Sequence, residues 1–208
     1  MPRPIALLLA ALATALGLAL TGTSPAGAQP TARIHLLHGI PDTPVDVAAN
    51  GETLLRDFSF GDTQDLSDLA GQTLTGLEVR AAGTDTVAID AGDVDLPSEG
   101  NTTIVAHLDP TGTPTLTVFP NDTTPPPAGQ GRLVVRHTAA APAVDVRANG
   151  QVALANLSNP DEATAELPAG TITADVVPTG TTDPVVIGPT DLPVTDGQTL
   201  IVYAAGSL

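Results

Sequence analysis

Histidine is the side chain in this sequence best suited to acid–base chemistry or metal binding, and the chain has four: His35, His38, His107 and His137. His38 and His137 recur in one context, because each is followed after a short loop by the tripeptide VDV. A single histidine beside a single aspartate offers too few ligands for a metal site. We therefore interpret both as side chains that hydrogen-bond a loop and fix its path. His35 and His107 lack counterparts, and they would share a sheet face if their strands were neighbours.

Clustered carboxylates are the next candidates, since calcium prefers several oxygen ligands in one place. One cluster is Asp62, Asp65 and Asp68, and the other is Asp90, Asp93, Asp95 and Glu99. Neither cluster follows the calcium motif in which a ligand loop joins two helices. Solvated acidic loops are the simpler explanation, so the second cluster is kept as a weak calcium candidate. No metal, cofactor or catalytic residue is assigned from the sequence.

The sequence lacks several residue types and motifs that enzymes use. It contains no Cys, which removes disulfides, thiol catalysis and thiolate metal sites. No nucleophile elbow, phosphate loop or dinucleotide fingerprint occurs. Aromatic residues make up 2% of the chain, which disfavours a stacking platform for carbohydrate. We predict that the chain is not an enzyme; the alternative is a cell-envelope hydrolase whose site has no recognisable motif.

The charge of the chain limits its partners. There are 23 acidic residues against seven arginines and no lysine, for a net charge of −16. Such a field repels nucleic acid and anionic lipid surfaces, so neither is expected to bind. We attribute the acidity to solubility outside the cell. The expected function is a structural or partner-binding module, with a cell-surface protein or envelope component as its partner.

The first 28 residues have the pattern of a signal peptide. Arg3 precedes the apolar run Ile5–Leu20, and small residues follow up to the A-x-A motif at 26–28. The apolar run is short for a membrane span. We predict cleavage after Ala28, secretion, and no membrane span in the mature chain; an uncleaved N-terminal anchor is the alternative.

Short alternating segments predict an all-β protein. Apolar and polar residues alternate over five to seven positions between Pro, Gly and Asp, in segments 33–37, 45–49, 74–79, 102–108 and 115–119. Strands of this length with regular turn signals are typical of a β-sandwich or barrel. Since aromatics are scarce, the core must be built from Val, Leu, Ile and Ala.

A repeat divides the chain in two. Residues 45–51 read VDVAANG and residues 144–150 read VDVRANG, an offset of 99 that also aligns the two recurring histidines. We interpret the repeat as a tandem duplication. Within it, the two valines of VDV face one side of a strand and the aspartate the other. The following Asn-Gly predicts a tight hairpin turn whose two central residues have positive φ.

The repeat predicts two antiparallel β-sandwich domains, at 32–120 and 132–208, that fold independently. The Pro/Gly-rich segment 121–131 between them is expected to be a semi-rigid linker. The second copy has no counterpart of the strand predicted at 115–119, so it is expected to lack the last strand and to present an open sheet edge. A strand from a partner, from a second copy or from 121–131 is expected to be able to pair there.

The repeated pattern resembles that of a family of exported prokaryotic proteins that carry the domain of unknown function (DUF) 4397. The resemblance rests on RIHLLHGIPDTPVDV (33–47) and RLVVRHTAAAPAVDV (132–146). The first copy keeps the Pro41-Asp42 pair of the family pattern, whereas Ala140-Ala141 replaces it in the second. The resemblance implies an immunoglobulin-like sandwich on the cell surface or in the medium, and it implies no activity.

Overall fold

A computed structural model describes residues 32–207, and its regular elements are β-strands apart from one short 3₁₀ helix. The predicted signal peptide (1–28) lies outside the described residues. The strands form two groups, which we call the first unit (32–120) and the second unit (130–207). Within the described range, no helix is long and apolar enough to span a membrane.

The first unit contains eight strands and the 3₁₀ helix Ser67–Leu69. Its strands are β1 (Ala32–His38), β2 (Val45–Ala49), β3 (Glu52–Phe58), β4 (Thr63–Asp65), β5 (Thr73–Ala81), β6 (Val87–Asp95), β7 (Gly100–Leu108) and β8 (Pro114–Pro120). The second unit contains seven strands. They are β9 (Gln130–Ala140), β10 (Val144–Ala148), β11 (Gln151–Leu157), β12 (Glu162–Pro168), β13 (Gly170–Pro178), β14 (Ile187–Val194) and β15 (Thr199–Ser207).

Each unit is a two-sheet, sandwich-like structure, as the prediction of an all-β protein required. The first unit has the sheets β4-β1-β7-β8 and β3-β2-β5-β6, and the second has β12-β9-β15 and β11-β10-β13-β14. The strand pairs are antiparallel except β1 with β7 and β9 with β15, which are parallel. The predicted purely antiparallel arrangement is therefore wrong for these two pairs. Alternation of side chains reports which face a residue occupies and carries no information on strand direction.

Equivalent residues of the repeat build the two cores. In each unit the first two strands place alternate apolar side chains between the sheets. These are Ile34, Leu36, Val45 and Val47 in the first unit, and Leu133, Val135, Val144 and Val146 in the second. All eight are buried. The offset of 99 found in the sequence is thus an offset between structurally equivalent strands.

The Asn-Gly turns adopt the predicted conformation. Asn50 and Gly51 have φ of 57° and 77°, and Asn149 and Gly150 have φ of 50° and 76°. The Asn50 side chain adds a contact that the turn type alone does not require, because its Oδ1 accepts the backbone N–H of Thr75 at 2.9 Å. The equivalent bond in the second unit joins Asn149 to the Thr173 N–H at 3.0 Å. Each turn is therefore tied to the neighbouring strand.

The two units differ at one sheet edge. In the first unit β8 pairs with β7, so the strand parallel to β1 is covered on both sides. In the second unit β15 pairs with β9 alone, and within residues 32–207 no strand lies beside its other edge. The segment 121–131 does not occupy that edge. The second sandwich is therefore open where the first is closed.

The outer faces of β7, β8 and β9 are also buried. Val105, Phe119 and Val134 are at most 6% exposed, yet they belong to neither core. Strand β7 contacts both β9 and β15. These buried faces therefore form an interface between the units. That interface couples two domains that the sequence predicts to fold independently.

Candidate functional site

The two recurring histidines bind backbone, as predicted. His38 Nε2–H donates to the carbonyl oxygen of Thr43 at 2.8 Å, and His137 Nε2–H donates to that of Pro142 at 3.1 Å. Since a carbonyl only accepts, each ring carries its proton on Nε2. Both rings are fully buried, and each fixes the loop that leads into VDV. They are placed to shape a loop rather than to meet a substrate.

The aspartate of each VDV has a role that the sequence did not reveal. Asp46 Oδ1 accepts the backbone N–H of Asp57 at 3.0 Å, and its Oδ2 accepts that of Gly83 at 3.1 Å. In the second unit, Asp145 accepts the N–H groups of Asn156 at 2.8 Å and Gly180 at 2.9 Å. Each carboxylate thus holds a strand and a turn together.

A β-bulge explains why that aspartate is needed. Val45 pairs with Phe58 and Val47 with Leu55, so two residues of β3 lie opposite Asp46 alone. The second of them, Asp57, has φ of 53°, which turns its N–H out of the ladder and onto the carboxylate. The same shift occurs between β10 and β11. The sequence feature that could have revealed this role is the repeated Asp inside an apolar strand, whose carboxylate stabilises the bulge.

Backbone hydrogen bonds also set the charge of these aspartates. The N–H groups of Asp57 and Gly83 hold the pKa of Asp46 below its ordinary value of 3.8. Those of Asn156 and Gly180 lower the pKa of Asp145 in the same way. Both groups are therefore ionised acceptors at neutral pH. A carboxylate held in this way is a poor general acid, since protonation would break its bonds to the backbone.

His107 lies between the units. Its strand is a neighbour of β1, but His35 lies opposite Thr103, four positions from His107, so the two imidazoles do not meet. His107 Nδ1–H donates to the Leu108 carbonyl at 2.9 Å, and Nε2 accepts from Thr117 Oγ1 at 2.8 Å. Burial is the largest cause that lowers its pKa. His107 is thus a neutral buried side chain with both nitrogens bonded.

The calcium candidates do not converge. Asp93 accepts the Gly76 N–H at 2.9 Å, and Asp95 accepts the hydroxyl of Thr73 at 2.6 Å. Within residues 32–207, no three His, Asp or Glu side chains are grouped so that they could hold a metal ion. The structure places the four candidates as exposed side chains: Asp90, Asp93, Asp95 and Glu99. The first cluster also binds backbone, since Asp62 accepts the Ser59 N–H.

A buried arginine joins the two units, and sequence reasoning missed it. Arg136 is 1% exposed and donates from Nη2 to Asn121 Oδ1 at 2.6 Å, from Nη1 to Tyr203 Oη at 2.8 Å and from Nε to Glu162 Oε2 at 2.8 Å. Its Cζ lies 4.5 Å from the centroid of the Phe119 ring. The first copy has Leu37 at the position equivalent to Arg136. An arginine in an otherwise apolar strand is therefore the sequence feature that could have revealed this role.

The Pro/Gly linker is held at both ends. Arg132 Nη1 donates to Asp122 Oδ2 at 2.8 Å and to the Thr124 carbonyl at 2.9 Å. At the other end, Gly129 N–H donates to Asp196 Oδ1 at 2.7 Å. The linker is therefore fixed to the second unit through Asp122, Thr124 and Gly129.

An apolar cleft lies inside the open sandwich. It has a volume of about 200 Å³, and its lining includes Val202 and Ala204 of β15, Ile187 and Leu192 of β14, and Leu133. The corresponding space in the first core, lined in part by Leu116 of β8, is about 20 Å³. The missing strand thus leaves a cavity as well as a free edge. Within the described residues, this cleft is the concave apolar site best placed to accept a ligand.

Comparison with known proteins confirms the family resemblance seen in the sequence. The sequence profile of one family, described as a domain of unknown function (DUF4397), matches residues 32–147. The match spans the whole first unit and continues through β9 into β10. No curated protein matches the chain. Since the match covers more than half of the 208 residues, the chain belongs to the DUF4397 family.

Proposed function

We propose that this protein is a secreted, non-catalytic β-sandwich protein that acts as a structural or partner-binding module at the cell surface. One observation carries the proposal. The side chains that recur in both copies and could do chemistry bind the backbone of their own unit: His38 and Asp46 in the first, His137 and Asp145 in the second. Groups that maintain a fold in this way are not free to serve a reaction.

The sequence supports the cellular part of the proposal. The apolar run and the A-x-A motif before Gln29 favour export with cleavage after Ala28. A net charge of −16 favours solubility outside the cell. We further propose that the two units arose by duplication and that their fold is immunoglobulin-like. The parallel pairing of the first and seventh strands in each unit is compatible with that class.

An activity screen combined with a binding assay tests the proposal. The mature protein should show no turnover with ester, amide and glycoside substrates, and it should bind saturably to intact envelopes of the producing cell. The controls are His38→Gln and His137→Gln, each checked for a folded spectrum. Turnover that is lost in either folded variant would show that the protein is an envelope hydrolase. Absence of saturable envelope binding would remove the partner-binding role.

A further inference from the structure

The free edge of β15 lacks the features that protect the edge strands β4, β11, β12 and β14 from pairing with another chain. β15 reads TLIVYAAGS, nine residues without charge or proline, and it pairs with β9 without a register shift. Edge strands are normally protected by charge, proline, bulges or short length. β14 has two prolines, β12 two glutamates, β11 a register shift, and β4 only three residues. β15 is the long, regular, uncharged edge of the second unit.

The first unit shows which strand this edge would accept. His38 pairs with Ala106 of β7, and the equivalent His137 pairs with Ala204 of β15. On its other side Ala106 pairs with Leu116, whose side chain packs on the first core. Opposite Ala204, no residue in the range 32–207 takes that place. The cleft of about 200 Å³ lies at the same position, since Ala204 lines it.

The charges around the cleft indicate what the incoming strand carries. Asp175 lines the cleft, and Asp191 lies on the neighbouring strand β14. Arg147 balances the charge of Asp175, to which it is paired at 2.6 Å, so the negative charge beside the cleft comes from Asp191 and from the chain as a whole. Since each copy of the chain carries a net charge of −16, a second copy would be repelled, whereas a segment with basic residues would be attracted.

We propose that β15 binds an extended segment of a partner protein, which adds to the sheet as an antiparallel strand. The segment has a leucine-sized apolar residue opposite Ala204, alternating apolar residues on that face, and basic flanking residues. Main-chain hydrogen bonds to the free edge supply affinity, and the side chain that enters the cleft supplies specificity. The inference rests on the proposed partner-binding function and assigns it a place.

A peptide-binding experiment with the full mature chain tests this inference. The probe is a peptide with the β8 sequence PTLTVFP and two added lysines at each end. We expect saturable binding and a rise in the melting temperature of the protein. A matched peptide with aspartate at the leucine position should bind at least about tenfold more weakly, because it would bury a charge in the cleft.

Two variants of the protein locate the binding site. Ile187→Asp places a charge at the mouth of the cleft, at a side chain already 44% exposed, and should weaken binding about tenfold. Val152→Asp changes a comparably exposed valine (53%) on β11, away from the cleft, and should leave binding unchanged. Equal binding of both peptides, or equal binding by both variants, would overturn the inference. So would a native dimer that Ile187→Asp dissociates, because the edge would then belong to a second copy.

The failure of this inference is distinguishable from failure of the proposed function. If the peptide does not bind while the protein still binds envelopes, the docking site on β15 is wrong and the function stands. If the peptide binds and a catalytic activity is found, the non-catalytic function is wrong and the docking site stands.

Discussion

The first and second units share seven strands with the same pairing and differ at one position in the sheet. In both, a histidine holds the loop before VDV, and an aspartate clamps a bulge. The first unit then adds β8, whereas the second has a cleft and a free edge at that place. The local hydrogen-bond framework is therefore independent of whether the sandwich is closed. β8 covers the core with apolar side chains and protects the sheet edge, and we propose that a partner does both for the second unit.

The largest expected effect on stability concerns the interface between the first unit and the second. Arg136→Ala leaves Asn121 Oδ1 and Tyr203 Oη without their donor and empties the space over Phe119. We expect a loss of about 2–4 kcal/mol in the free energy of unfolding. Thermal unfolding should then separate into two transitions, in which the second unit unfolds at the lower temperature.

The control for this variant is Arg80→Ala. Arg80 pairs with Glu78 within one unit, and both side chains are about one-third exposed (34% and 28%). Such a pair contributes about 0–1 kcal/mol. If Arg136→Ala costs no more than Arg80→Ala in calorimetry, the buried arginine does not couple the units.

The next effect tests what β8 does for the first unit. Leu116→Ala removes the side chain that packs on the first core from β8 and should make the first unit resemble the second. Because Leu116 is only partly buried, we expect a cost of about 1–3 kcal/mol by urea denaturation. Val118→Ala on the same strand, at a side chain 51% exposed, should change stability by less than about 0.5 kcal/mol. Equal costs would mean that β8 does not close the core.

A smaller effect on stability, seen only at acidic pH, tests the carboxylate that stabilises the bulge in each unit. The folded pKa of Asp46 and Asp145 lies below 3.8, so the unfolded chain binds more protons as the pH falls through that value. The stability that they contribute is therefore complete above about pH 4 and is lost below it. Asp46→Asn and Asp145→Asn should each flatten the dependence of the unfolding midpoint on pH below about pH 4. Parallel curves for wild type and variants would contradict the clamp.

The smallest expected effect is that of calcium. Asp93 and Asp95 of β6 bind the neighbouring strand β5, and the carboxylates do not converge on a shared point. Millimolar calcium should leave the melting temperature of both units nearly unchanged. A saturable rise in the melting temperature would establish a calcium site in the first unit that the second lacks. At a hundredfold excess of calcium over Kd, the free energy of unfolding would then increase by about 2.7 kcal/mol.

The sequence was sufficient for the features that local patterns determine. Alternation identified segments that lie in five of the strands, Asn-Gly identified the turns, and the offset of 99 aligned the two equivalent histidines. Three features depend on contacts between distant segments and were not predicted. These are the parallel pairing of β1 and β7, the clamp between Asp46 and Gly83, and the burial of Arg136 between the units. No local periodicity encodes such contacts.

The parallel ladder is longer in the second unit than in the first, with a mechanical consequence. β9 and β15 pair over nine positions, from Arg132 with Thr199 to Ala140 with Ser207, against seven for β1 and β7. Tension between the start of β9 and the end of β15 would shear all nine pairs at once. In the first unit, β8 ends with Pro120 opposite Thr102, close to the end of the sheet where β1 begins. Tension there would peel one pair after another. Under a pulling force, the first unit is therefore expected to unfold before the second, although its core is the more complete.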